Sequence, residues 1–338
     1  MPTFRFAHLL KLIAVLASLG LAAGCGSGSP QADSSGAVGT AKGKTVAFVG
    51  YGKENPWGAY FNQIFIGRLT GQGVNVRDLT SMDPGTAVTN FNQAVAGKPD
   101  MIVTALLDTS AMVVPIKKAK QARIPVLVFD GRPDPANEAD VLQVLSDNAA
   151  LGTAAATNLV EGLQAQGKDS GAVFVITGTA SGFVAQDRMQ AFTQEMAKYP
   201  AYKVIDVQDG NWDPALTGKI ATQLFAKYGC SGVQGAYGMA DYTALAIIAA
   251  AKQAGCALGG KDGLIVTSSN CFKAGIEAIK AGTLYGTATE DPGTIAGQTA
   301  DYVLRYFRGQ NPPAKESVKE QRVTKANLAL LESQCSNA

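Results

Sequence analysis

The polar side chains that interrupt otherwise apolar stretches of this sequence are few, and their types suit one chemistry. Asn55-Pro56-Trp57 follows the first β-rich run, and Asp130 ends the fourth with Gly131-Arg132 behind it. Arg188 sits in a helical stretch, Trp212-Asp213 follows the seventh run, Asp241 the eighth and Asn270 the ninth, and Glu290 ends the tenth. Aromatic plates beside Asp, Asn, Arg and Glu suit a polyhydroxylated ligand, whose C–H faces stack on rings while each hydroxyl both donates and accepts hydrogen bonds. The candidate ligand set is Asn55, Trp57, Asp130, Arg132, Arg188, Trp212, Asp241, Asn270 and Glu290. Each has a plainer reading. Asn55 and Asp241 suit helix caps, Trp57 suits a core, Trp212 could pack on Pro214, Asp130 could close a turn with Gly131, and Arg188 could be a surface charge in Gln186-Asp187-Arg188.

Composition removes several other chemistries. The only histidine is His8, so no histidine-based triad or zinc site is available downstream of it. Gly43-Lys44-Thr45 resembles the end of a phosphate loop, but Val38 stands where its first glycine belongs and the segment precedes a strand. The run 178–182, Gly-Thr-Ala-Ser-Gly, lacks dinucleotide-binding spacing. Asp130 and Glu290 could in principle act as a glycosidase pair, which keeps a sugar-processing enzyme as an alternative. The first 24 residues hold two basic residues and no acidic one, so of 29 Lys+Arg and 27 Asp+Glu the rest of the chain carries 27 of each. A formally neutral chain without a basic block offers no footprint for nucleic acid, and a small neutral ligand is expected. No cofactor and no metal are called for.

The elements that must position these residues are short β-rich runs alternating with longer helical patterns from residue 45 onward. The runs are 45–50, 74–79, 101–106, 125–130, 141–145, 172–177, 202–208, 232–237, 264–268 and 284–290, with helical stretches such as 57–72, 109–122, 151–166, 185–198, 214–228 and 242–253. Strands apolar throughout, spaced by amphipathic helices, indicate parallel sheets covered on both faces. Ten strands are many for one open sheet, and Leu145-Ser146-Asp147-Asn148 is a polar break between two sets of five. The expected fold is therefore α/β, with two similar lobes and the ligand held between them at the carboxyl ends of the strands.

The N-terminus carries an address. Arg5 and Lys11 precede an apolar run over 12–21, too short to span a bilayer, and then the small residues Ala22, Ala23 and Gly24. Leu21-Ala22-Ala23-Gly24-Cys25 resembles a bacterial lipobox, with Ala22 where leucine is usual. This makes 1–24 a lipoprotein signal peptide, Cys25 the lipid-bearing residue and 25–43 a flexible tether, on a protein exported and anchored to the cell membrane at its periplasmic or outer face.

From about residue 44 the chain resembles the ribose/galactose class of periplasmic sugar-binding proteins, the substrate-capture subunits of ABC importers. The resemblance rests on order and spacing: Asn55-Pro56-Trp57, the strand ending in Asp130, Ser146-Asp147-Asn148, Arg188-Met189-Gln190-Ala191-Phe192, Trp212-Asp213 and Glu290-Asp291-Pro292. It implies two Rossmann-like lobes joined by three hinge crossings, the type I periplasmic binding protein fold. One lobe would be 44–146 with 291–319 and the other 147–290 with 320–338. It also implies a monomer that delivers a sugar or polyol to an ABC permease. Ribose binders of the class commonly carry asparagine where Met239 stands, aspartate where Asn270 stands, and arginine directly after the strand-four aspartate, where Gly131 intervenes before Arg132. Ribose itself is therefore no more expected than another pentose, a hexose or an acyclic polyol. A subunit that presents ligand to a membrane receptor would look the same. The implied topology suggests pairing Cys230 with Cys256 and Cys271 with Cys335, one of the three connectivities open to four cysteines.

Overall fold

Strands with no polar face are satisfied only inside a sheet covered on both sides, and this chain builds two such sheets. In the computed structural model, which describes residues 39–335, the first half alternates β1 (Thr45–Val49), α1 (Pro56–Gly71), β2 (Asn75–Asp78), α2 (Pro84–Ala96), β3 (Met101–Thr104), α3 (Val113–Gln121), β4 (Val126–Asp130) and β5 (Leu142–Ser146). The second half continues with α4 (Asn148–Ala165), β6 (Gly171–Thr177), α5 (Phe183–Met196), β7 (Tyr202–Asp209), α6 (Pro214–Tyr228), β8 (Gly235–Gly238), α7 (Asp241–Gln253), β9 (Ile265–Thr267), α8 (Lys273–Lys280) and β10 (Gly286–Ala288). The chain then returns through α9 (Pro292–Phe307), β11 (Lys315–Val318), β12 (Arg322–Thr324) and α10 (Leu328–Leu331).

The strand orders are β11-β5-β4-β3-β1-β2 and β12-β10-β9-β8-β6-β7. All pairings are parallel except β10 with β12. All ten strands expected from the sequence are present, and each sheet gains a sixth at its edge from the returning chain. Those two, Lys-Glu-Ser-Val and Arg-Val-Thr, are short, and each pairs on one side only.

Four of the helices begin the same way. Asn55, Asp83, Asp213 and Asp291 each precede a proline and accept from a backbone N–H of the first turn, at 2.8, 2.6, 2.7 and 2.6 Å. The cap satisfies a donor the helix cannot, and proline has no N–H to lose there; such a cap is worth about 1 kcal/mol. Sharp, rigid strand-to-helix turns at the carboxyl ends of the strands result. Beneath them the first lobe packs Phe48, Phe61, Phe65 and Phe129, all fully buried, and the second stacks Phe192 on Tyr237 with ring centroids 4.9 Å apart. Burial of each such ring contributes roughly 1.5–3 kcal/mol.

The chain passes between the sheets three times, after β5, after β10 and between β11 and β12. Two of these crossings are tied together. Thr289 donates its hydroxyl to Glu320 at 3.0 Å and accepts from the Gln321 N–H at 2.8 Å. Burial pushes the Glu320 carboxyl up to about 8, with the negative Asp130 and Asp147 adding to it against the Thr289 bond and Arg188. Asp241 is displaced upward too, again chiefly by burial. A carboxyl that holds its proton longer when folded than when unfolded stabilises the fold at low pH and loses that contribution as pH rises through its folded value. The melting temperature is therefore expected to fall by several degrees between pH 5 and pH 8. Scanning calorimetry checks this, and a melting temperature that rises over that interval contradicts it.

Candidate functional site

The two lobes present the carboxyl ends of their strands to each other around a tight cavity with about 20 Å³ of free space. That is room for about one water, well short of the roughly 300–1,000 Å³ of small-molecule sites, so the lobes must part to admit a ligand.

On the first lobe, the tips of β1 and β4 supply Tyr51, Asn55, Trp57 and Asp130. Trp57 is both core and wall: it stacks on Phe61 at 5.1 Å while its Nε1, buried among the lining residues, has no partner. Asp130 takes a left-handed backbone, φ 66°, at the end of its strand, a conformation that Asp tolerates better than most residues. The Tyr51 hydroxyl donates to Asp130 Oδ2 at 2.9 Å and leaves Oδ1 unpaired. Burial, reinforced by Asp130, pushes the Tyr51 phenol well above its ordinary value, so it stays a neutral donor.

On the second lobe, α5 supplies Arg188, and its place is fixed by close helix packing. Gly152 on α4 lies against the Arg188 backbone carbonyl, with no room for a Cβ. The buried guanidinium donates from Nε to Asn148 Oδ1 at 2.8 Å, from Nη1 to the Met239 carbonyl at 2.9 Å and from Nη2 to Glu290 Oε2 at 2.7 Å. Asn270 donates to the same Glu290 oxygen. Burial alone would lower the Arg188 pKa, but Glu290, Tyr237 and Asp130 together outweigh this and hold it charged; burial raises the Glu290 carboxyl and Arg188 opposes it. Trp212, itself at φ 57°, lies on Gly178 where a Cβ would strike its indole, and its ring sits 5.4 Å from the Arg188 guanidinium.

Hydrogen bonds also run between the lobes. Asn55 uses its carbonyl to cap α1 and its amide to donate to the Tyr242 hydroxyl at 3.0 Å, so the cap and the cleft share one side chain. Asn148 donates to the Asp130 carbonyl at 3.2 Å. Three buried polar atoms in this lining remain without a protein partner: Trp57 Nε1, Asp130 Oδ1 and Asn270 Oδ1. A polar group left unpaired in a protein interior costs about 1–3 kcal/mol, and one donor with two acceptors is what a ligand bearing hydroxyls would satisfy.

Of the candidate residues named from sequence, Asn55, Trp57, Asp130, Arg188, Trp212, Asn270 and Glu290 are brought together here. Two are not. Arg132 points along the rim, where it forms a bidentate pair with Asp187 of the opposite lobe at 2.8 and 2.9 Å and stacks on Phe183, 3.7 Å from its ring centre. Asp241 is fully buried and bonded to Ser268, Thr287 and the Phe272 N–H, beneath the cavity and not in its wall. Tyr51, Met82, Val184 and Tyr242 line the cavity without having been singled out. Tyr51 directly follows the first β-rich run and Tyr242 directly follows Asp241, and following the strand-end rule one residue further would have included them. The Cys230–Cys256 and Cys271–Cys335 pairs lie at bonding distance, with Cα separations of 5.2 and 5.0 Å. Cys25 lies outside the described residues.

The periplasmic binding protein domain family matches residues 46–311, and the chain belongs to that family. It is a binding protein and not an enzyme. The ribose import binding protein RbsB of Salmonella typhimurium is 23% identical over 254 residues, 75% of this chain and 81% of that one. The fructose import binding protein FruE of Bifidobacterium longum is 26% identical over 308 residues, 89% of each chain. Among solved structures, a galactofuranose binding protein superposes with a TM-score of 0.78 at 20% identity, covering 87% of this chain and 99% of its own. A carbohydrate transporter solute binding protein from Agrobacterium radiobacter, in complex with D-arabinose, gives 0.77 at 21% identity, with 87% and 99% covered. The fold is the two-lobed, mostly parallel α/β arrangement of type I periplasmic binding proteins.

Proposed function

We propose that this chain is the substrate-binding subunit of an ABC-type sugar importer, capturing a monosaccharide or sugar alcohol in the interlobe cleft. The observation that carries the reading is the convergence of Trp57 Nε1, Asp130 Oδ1 and Asn270 Oδ1, unpaired, on a cavity flanked by two indoles and a charged Arg188–Glu290 pair. Relatives described as ribose import and fructose import proteins, and a neighbour in complex with D-arabinose, support a neutral sugar. In this reading the lobes 44–146 with 291–319 and 147–290 with 320–338 close about the three crossings, and the rim pair Arg132–Asp187 latches them. The protein is exported, with a lipid on Cys25 and disulfides at Cys230–Cys256 and Cys271–Cys335, and it works as a monomer against a membrane permease.

A thermal-shift screen over pentoses, hexoses and polyols tests this. A ligand present at a hundred times its Kd adds about 2.7 kcal/mol, which at roughly 2–4 °C per kcal/mol raises the melting temperature by roughly 5–10 °C. Millimolar concentrations of every sugar and polyol leaving the melting temperature unmoved would sink the proposal.

A further inference from the structure

Asp241 is fully buried, yet none of its hydrogen bonds serves the helix it begins. The start of α7 is tied by Thr243, whose hydroxyl accepts from the Ala240 N–H at 3.0 Å. Asp241 instead reaches across to the segments that carry Asn270 and Glu290. Its Oδ1 accepts from the Ser268 hydroxyl at 2.5 Å and the Thr287 hydroxyl at 2.6 Å, and its Oδ2 accepts from the Phe272 N–H at 2.7 Å. Thr287 Oγ1 accepts in turn from the Cys271 N–H at 3.4 Å. Gly275 on α8 lies so close that a Cβ there would strike the carboxylate.

The segment held this way is strained. Asn270 and Cys271 have φ of 99° and 53°, two consecutive non-glycine residues in left-handed backbone. Such backbone is costly for a residue with a side chain and persists only where the surroundings over-determine it. The surroundings here are Asp241 from below and, from the side, Cys335 of the C-terminal tail, at bonding distance from Cys271. What the strain delivers is the Asn270 side chain, with its amide on Glu290 and its Oδ1 unpaired in the cavity wall. A carboxylate suits the task because it accepts three bonds and donates none. Burial pushes its pKa up to about 6, against the three bonds and Arg188.

We propose that Asp241 is a positioning residue for the cleft: with the Cys271–Cys335 bridge it holds the Asn270 loop in the strained form that aims Asn270 at the ligand, and so sets affinity without touching the ligand. The affinity clause rests on the sugar-capture reading; the loop clause does not.

The test compares the full oxidised chain with Asp241→Asn and with Cys271→Ser/Cys335→Ser. Two readouts need no sugar: amide hydrogen exchange at 270–272, and the side-chain NH2 resonances of Asn270. In Asp241→Asn, exchange at 270–272 is expected to quicken tenfold or more while β6 and β8 keep their protection, and the Asn270 NH2 signals move toward free-amide positions. For any of D-ribose, D-fructose or D-arabinose that the wild type binds, Kd rises at least tenfold. An Asp241→Asn protein that melts earlier but keeps its 270–272 exchange and its Asn270 signals makes Asp241 merely structural and overturns the proposal. Should that variant fail to fold, the double cysteine variant decides through the same signals: displaced Asn270 resonances support the clamp, and unchanged ones overturn it. A wild type that binds none of the three sugars while its variants loosen the loop counts against those sugars as ligands and leaves the clamp supported.

Discussion

Arg188→Ala is expected to abolish sugar binding and also to lower the melting temperature by roughly 10 °C. Both effects come from one contact. Arg188 and Glu290 are almost fully buried and 2.7 Å apart, so removing the guanidinium leaves a carboxylate in a dry interior with the Asn270 amide as its remaining donor and the acidic Asp130 nearby. Breaking a buried pair from one side costs about 3–5 kcal/mol, and a few degrees are lost per kcal/mol. The pair can be separated from the binding function by a second substitution. Arg188→Ala/Glu290→Gln removes the orphaned charge and is expected to recover most of the melting temperature while binding stays absent. Calorimetry and a binding isotherm on the three proteins check this. Wild-type affinity in Arg188→Ala would remove Arg188 from the site, and a single variant as stable as the wild type would show that the charge pair contributes nothing net.

Asp130→Asn should do the opposite to stability. The Asp130 carboxyl is buried, receives one bond from Tyr51 and leaves Oδ1 unpaired. Asparagine keeps the shape, tolerates the left-handed backbone that Asp130 occupies at φ 66°, and carries no charge to bury. The ligand-free protein is therefore expected to melt no earlier than the wild type. A ligand hydroxyl donating to Oδ1 would lose a charge-assisted bond, worth about 1.5–3 kcal/mol, so affinity falls roughly ten- to a hundredfold. Titration calorimetry with a sugar retained in the thermal screen measures it. An undiminished affinity would mean that Asp130 faces no ligand.

How far the architecture was readable in the chain follows from where each element sits. The eight interior strands announce themselves because strands covered on both faces are largely apolar, as in Val126–Asp130 with its terminal carboxylate, while the edge strands β2 and β7 are polar and part-exposed and are legible only through their place in the alternation. β11 and β12 do not, because strands of four and three residues, Lys-Glu-Ser-Val and Arg-Val-Thr, are too short to show a pattern. The site was readable to the extent that strand ends are readable. Seven of the nine named residues line the cavity, since a polar residue ending a buried strand has little else to face. Asp241 shows the limit: a carboxylate at a helix start after a strand can turn toward the cleft or back beneath a neighbouring loop, and only the positions of Ser268, Phe272 and Thr287 decide. Arg132 shows another. Its partner is Asp187 on the other lobe, 55 residues away, and no local pattern pairs them.

The late return of the chain also sets an order of assembly. The first lobe is made of residues from the start of the fold, yet Ile295, Ala300, Tyr302 and Val303 of α9 complete its core, and β11 covers the open edge of β5. The second sheet waits for β12 in the same way. A nascent chain therefore has its first sheet unfinished until residue 318 has left the ribosome and its second until residue 324, and it carries an exposed apolar face and unpaired edges in the meantime. For a protein proposed to be exported, that delay is useful: the segments that would lock each lobe shut are synthesised late, after the strands they complete.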